Sequence, residues 1–147
     1  MKRIAVGVDI GGTNTAIGVV NSEGTVLVKT SIPTPSSNDI DNYINDLAIA
    51  IKEQIAQAGD VEVMGIGIGA PNGNYYNGTI EYAPNLKFKG VVPVVDYIKS
   101  KFDLIKFQIE KLFLGINSAH NNDLIILSDE DEIPKLKKIK EFNYKKY

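Results

Sequence analysis

Asp9-Ile10-Gly11-Gly12-Thr13-Asn14 joins two apolar runs, Ile4 to Val8 and Ala16 to Val20. Each run has the length and composition of a β-strand, and two glycines between an acid, a hydroxyl and an amide read as the turn of a hairpin. Gly11 and Gly12 lack a Cβ, so their amides can line a concave turn and donate to an anion, with side-chain donors added by Thr13 and Asn14. Phosphate is the anion this pattern suits. Asp9, at a strand end beside it, suits Mg²⁺, held directly or through water.

Outward from that turn the chain is organised as an α/β unit. Residues 3 to 10, 15 to 21 and 25 to 32 read as a three-stranded meander, with Asn21 to Gly24 as its second turn. Pro33 and Pro35 end the meander, because proline cannot donate to a sheet ladder. Ser36, Ser37, Asn38 and Asp39 are N-cap candidates, and Ile40, Tyr43, Ile44, Leu47, Ile51 and Ile55 recur at helical spacing until Gly59 stops the helix. That stripe reads as core packing. Val61 to Ala70 is the fourth strand, with Gly65, Gly67 and Gly69 on one face, where a helix or ligand approaches closely. Residues 71 to 90 read as a long polar loop, and Val92 to Phe102 as a helix with Pro93 in its first turn. The loop has chemistry of its own: Asn72, Asn74, Asn77, Thr79 and Asn85 can donate and accept, which suits sugar hydroxyls, while Tyr75, Tyr76 and Tyr82 suit the face of a pyranose.

Composition narrows the field. A chain of 147 residues with 44% hydrophobic and 23% charged residues is expected to fold as an ordinary globular unit. A formal net charge of −2 gives no reason to expect nucleic acid or an anionic membrane as partner. No apolar run approaches a membrane span and the start of the chain lacks a secretory leader pattern, so the cytoplasm is the expected location. Cysteine is absent, which excludes thiol nucleophiles, and the one histidine, His120, reads as a solvated loop residue.

A second pattern follows the hexamer: Gly65-Ile66-Gly67-Ile68-Gly69-Ala70-Pro71-Asn72-Gly73, then Gly78-Thr79-Ile80, then Tyr82-Ala83-Pro84-Asn85-Leu86. In this order and spacing the two patterns resemble the phosphate-binding and sugar-side loops of the ROK family of bacterial sugar kinases and repressors, within the sugar kinase, Hsp70 and actin superfamily. The resemblance covers residues 3 to 103. It implies a ribonuclease H-like half-domain with a mixed sheet in the order β-β-β-α-β-α, and an N-terminal kinase lobe over residues 1 to 104. It also implies an ATP-dependent hexose kinase using Mg²⁺, with glucose as the first candidate substrate. Asp9 would serve the metal, Gly11, Gly12, Thr13 and Asn14 the phosphates, and Asn72, Gly73, Thr79 and above all Asn85 the sugar. Homo-oligomers are common in the family. The cysteine-bound zinc site of many members has no counterpart here, and a repressor is disfavoured because Asp9 lies too near the start for a preceding winged helix-turn-helix.

Residues 105 to 147 depart from the family. Its Asn-Asp-Ala-Asn segment, whose Asp takes the proton from the sugar hydroxyl as that hydroxyl attacks the γ-phosphoryl group, has no match, so no catalytic base is identified. The second lobe is also missing, and negligible turnover is expected of this chain alone. Asp123-Leu124-Ile125-Ile126-Leu127-Ser128-Asp129-Glu130-Asp131 instead resembles the D-x-D metal site of glycosyltransferases related to β-1,4-mannosyl-glycoprotein N-acetylglucosaminyltransferase. There Asp129 and Asp131 would hold a divalent cation against a nucleotide sugar. Three alternatives therefore stand beside the kinase lobe. One is a non-catalytic sugar- or phosphate-binding module, the second a chimera with a glycosyltransferase fragment, and the third a kinase lobe in which Asp129 or Asp131 replaces the missing base.

Overall fold

Alternation of apolar residues decides how the chain is layered in the computed structural model, which describes residues 1–102. Strand β1 (Lys2–Ile10) buries Ile4, Val6, Val8 and Ile10 on one face, β2 (Asn14–Asn21) buries Ile17 and Val19, and β3 (Val26–Pro33) is partly exposed along its length. Helix α1 (Ile40–Gln57) crosses over to β4 (Val61–Gly69), laying Tyr43, Ile44, Leu47, Ala48 and Ile51 on that apolar face. Each valine, leucine or isoleucine side chain among them contributes about 1.5–3 kcal/mol on removal from water.

The sheet order is β3-β2-β1-β4, antiparallel through the meander and parallel between β1 and β4. A parallel pair needs a crossover, and α1 supplies it. Asp39 caps α1, its Oδ1 accepting from the Asn42 backbone N–H at 3.2 Å. Beyond the helix Gly59 takes φ +88°, the left-handed conformation that glycine adopts without strain. The register sets Gly65, Gly67 and Gly69 beside Ala5, Gly7 and Asp9, so the expected glycine face exists and continues into β2 as Ala16 and Gly18.

The expected β-β-β-α-β-α order holds, with two corrections after β4. Residues 71 to 90 are not an irregular loop throughout: β5 (Gly73–Asn74) and β6 (Thr79–Glu81) form a short hairpin, and β7 (Val91–Val92) extends it to a three-stranded sheet. Short polar strands leave little alternation to read. The last helix, α2 (Val94–Ser100), is shorter than expected, because Val92 pairs with Ile80 and Pro93 becomes the N-cap. Ile80, Leu86, Phe88, Val94 and Ile98 join this part to the main core. Expectations for His120, for the Asp129 and Asp131 metal site or base, and for the tail over 105–147 lie outside the described residues.

Candidate functional site

Because β1 and β4 run parallel, with Asp9 beside Gly69, the segments that follow them leave the sheet at the same end. Ligands of open α/β sheets bind at such strand ends. The first segment is the turn 11–13, held by a hydrogen bond from the Gly11 N–H to the Asn14 carbonyl at 3.0 Å and by one from the Thr34 N–H to the Thr13 carbonyl at 2.9 Å. Asp9, Gly12, Thr13 and Asn14 are exposed and Gly11 is half-buried; the Gly11 amide, expected to serve phosphate, is committed to Asn14, which leaves Gly12, Thr13 and Asn14 as the exposed donors of the turn.

Neither glycine of the turn has a positive φ. Their lack of a side chain is required by crowding: a Cβ on Gly11 would stand 2.9 Å from the Asn14 carbonyl oxygen, and one on Gly12 would stand 2.8 Å from the carbonyl oxygen of Asn85. The second of these contacts joins the two sequence patterns. The turn and the 82–90 segment, expected to serve phosphate and sugar respectively, meet backbone to backbone.

The stretch just before that segment, 71–81, is knitted together by residues expected to bind sugar. The Asn72 side-chain amide donates to the Glu81 carbonyl at 3.1 Å and Thr79 Oγ1 donates to the Glu81 carboxylate at 2.8 Å, where Asn74 Nδ2 also donates at 2.9 Å. These bonds from Thr79 and Asn74 hold the Glu81 carboxyl below the ordinary carboxylate range. Gly73 lies in β5, and Asn85 is exposed beside the turn. Thus Asn72 and Thr79 shape the hairpin, and of the four expected sugar residues Asn85 is the one the fold sets against the phosphate turn. Tyr76 and Tyr82 are largely exposed, and Tyr82 is held at φ +51°. A non-glycine residue in that region costs on the order of 1 kcal/mol and persists where its surroundings over-determine it.

Behind the turn lies a group that the sequence pattern did not single out. Buried Thr15 shares hydrogen bonds with Thr34 Oγ1 at 2.9 Å and with Tyr43 Oη at 2.5 Å. Burial pushes the Tyr43 hydroxyl up to about 12 against the opposing effect of these hydroxyl partners. The Tyr43 ring also packs on Phe88, with centroids 5.3 Å apart. A tyrosine within an aliphatic helix stripe is the one hint the sequence carried, since a buried phenol needs a partner.

Among the described residues no cluster of three or more acidic or histidine side chains forms a metal cage. The donor set fits Mg²⁺ nevertheless, because that ion takes one or two carboxylates together with phosphate oxygens and water, and Asp9 is exposed at the turn. Among the same residues no helix is long and apolar enough to cross a membrane.

Comparison with known proteins agrees with this geometry. The ROK family pattern matches residues 5–111. The glucokinase of Streptomyces coelicolor is 39% identical over 87 residues, covering 58% of this chain and 26% of that protein. The glucokinase of Thermotoga maritima is 32% identical over 115 residues, covering 77% of this chain and 33% of that protein. A crystal structure of a ROK family glucokinase from Streptomyces griseus in complex with glucose and AMPPNP superposes with a TM-score of 0.51 at 31% identity, over 67% of this chain and 30% of that one. The chain spans about a quarter to a third of the length of these curated relatives. Its two loop patterns, their meeting at one end of a mixed sheet and the match over 5–111 agree: the chain belongs to the ROK family.

Proposed function

We propose that residues 1–102 form the nucleotide- and sugar-facing part of the N-terminal lobe of an ATP-dependent hexose kinase, with glucose as the first candidate substrate, working in the cytoplasm. The observation that carries this reading is the contact of Gly12 with Asn85, which sets a phosphate-suited turn against a sugar-suited segment. In it the Gly12 amide and the Thr13 and Asn14 donors bind phosphate oxygens, Gly11 closes the turn, Asp9 holds Mg²⁺ directly or through water, and Asn85 orients a sugar hydroxyl. Bound Mg²⁺ would offset the negative charge of the transferring phosphoryl group. Catalysis of this kind is mostly positioning and electrostatic stabilisation, and a fixed distance between donor and acceptor subsites serves both. The relative solved with glucose and AMPPNP supports the same ligand pair.

Calorimetric titration of the 147-residue chain tests the proposal. Asp9→Ala is expected to weaken MgATP binding by roughly ten- to a hundredfold, a charge-assisted contact being worth roughly 1.5–3 kcal/mol, and to leave glucose binding unchanged. Asn85→Ala should do the reverse, weakening glucose by roughly three- to tenfold for one lost neutral hydrogen bond. A folded wild-type chain that binds neither glucose nor MgATP ends this reading. Glucose binding with no nucleotide binding would favour a non-catalytic sugar module.

A further inference from the structure

We propose that Gly12 and Tyr43 are positioning residues that lock the phosphate turn, 11–14, and the acceptor segment, 82–90, into one unit before either ligand arrives. The names given to the two subsites rest on the kinase reading above, whereas the locking itself rests on contacts within the chain. At the surface, Gly12 lets the turn approach Asn85 so closely that a methyl group would stand 2.8 Å from the carbonyl oxygen. Beneath the surface, Tyr43 holds both partners at once. Its hydroxyl bonds Thr15, close behind the turn, and its ring packs on Phe88 of the acceptor segment at 5.3 Å.

The start of α1 adds a third tie. Asn38 is not the cap of the helix; its Oδ1 accepts from the Lys89 backbone N–H at 3.0 Å. The acceptor segment is therefore held from three directions, by the turn, by Asn38 and by Tyr43, and each hold also fixes the turn or the helix start behind it. Tyr43 and Phe88 are each 3% exposed, so their contact is made away from solvent. A purely local role for Gly12, giving phosphate room to approach, does not require contact with Asn85. Packing alone would be satisfied by a phenylalanine at 43, without a hydroxyl bonded to Thr15 in a group that includes Thr34.

Amide hydrogen exchange on the full chain tests the lock without any ligand. In Gly12→Ala, the Tyr82, Leu86 and Lys89 amides, bonded to Gly90, Ala83 and Asn38, should exchange about tenfold faster or more. Gly7→Ala in β1, whose added Cβ would meet nothing within 4 Å, should leave them within about twofold of wild type. Phe88→Leu should speed exchange of the Thr34 amide, which bonds Thr13, by way of the ring contact with Tyr43. The proposal is overturned if Gly12→Ala leaves residues 82–90 unchanged, or if the effect of Phe88→Leu stays within that segment. Should Gly12→Ala fail to fold by circular dichroism, Phe88→Leu decides alone. Glucose titration without nucleotide then reads the consequence: about a tenfold weaker affinity in Gly12→Ala, and little change in Gly7→Ala. A wild-type chain that binds no glucose removes the kinase reading, while the exchange data still decide the lock.

Discussion

Tyr43 carries two jobs on one side chain, and its hydroxyl makes them measurable. Burial raises its pKa from 10.0 to about 12, so the folded protein holds the phenol proton more tightly than the unfolded chain does. The associated stability is present below pH 10 and is lost as the pH rises through the folded value. Over that window the loss is on the order of 2 kcal/mol, since each tenfold difference in proton affinity between the folded and unfolded chain is worth about 1.36 kcal/mol. Urea midpoints of wild type and Tyr43→Phe, measured between neutral pH and about pH 11.5, should therefore converge and then cross, because the loss exceeds the wild type's advantage at neutral pH. At neutral pH the substitution should cost about 1 kcal/mol, because Thr15 and Thr34 retain each other. Parallel midpoints over the whole range would show that the phenol proton plays no such part.

At the scale of elements, the β5–β6 hairpin depends on one carboxylate. Thr79 and Asn74 donate to Glu81, and these bonds lower its pKa from the ordinary 4.5. A lowered carboxyl contributes stability above its ordinary value, and that contribution disappears as the pH falls through the lowered one. The hairpin is therefore expected to loosen in acid below pH 4.5, before the main sheet does. Exchange of the Gly78 amide, which bonds Asn74, and of the Glu81 amide, which bonds Asn72, should accelerate selectively there. In Glu81→Gln this acid-dependent step should be absent. Identical acid profiles for the two proteins would move the cause elsewhere.

For the whole molecule, the site exists because β1 and β4 are parallel neighbours, and they are so because α1 makes the crossover between the meander and β4. Leu47 lies wholly inside the packing of that helix. Leu47→Ala is expected to cost about 2–5 kcal/mol, a large share of the roughly 5–15 kcal/mol typical of a domain. Unlike Asp9→Ala or Asn85→Ala, it should weaken glucose and MgATP together, and denaturant titration beside the two binding titrations would show the shared loss. A variant that lost one ligand alone, at unchanged stability, would contradict this account of α1 as the common support.

Local chemistry settled much of the chain in advance. Period-two alternation at Ile4, Val6, Val8 and Ile10, helical spacing from Tyr43 to Ile51, and stops at Pro33, Pro35 and Gly59 act over a few residues, and they marked out the main strands and the long helix. The glycine turn after Asp9 and the asparagine-rich stretch through Asn85 were legible as binding chemistry for the same reason: residue type and backbone freedom are properties of the local chain. Partners remote in sequence decided the rest. Nothing near Gly12 announces that it needs space because of Asn85, and nothing near Asn72 or Thr79 announces that their donors are committed to the hairpin around Glu81. Tyr43 looked like one more core position until the crossover brought it to both Thr15 and Phe88. Hydrogen-bond partners and close approaches depend on distances that only tertiary packing sets, so the sequence by itself determined which elements form and which residues carry binding chemistry. Tertiary structure alone decided which of those residues face a ligand and which hold the others in place.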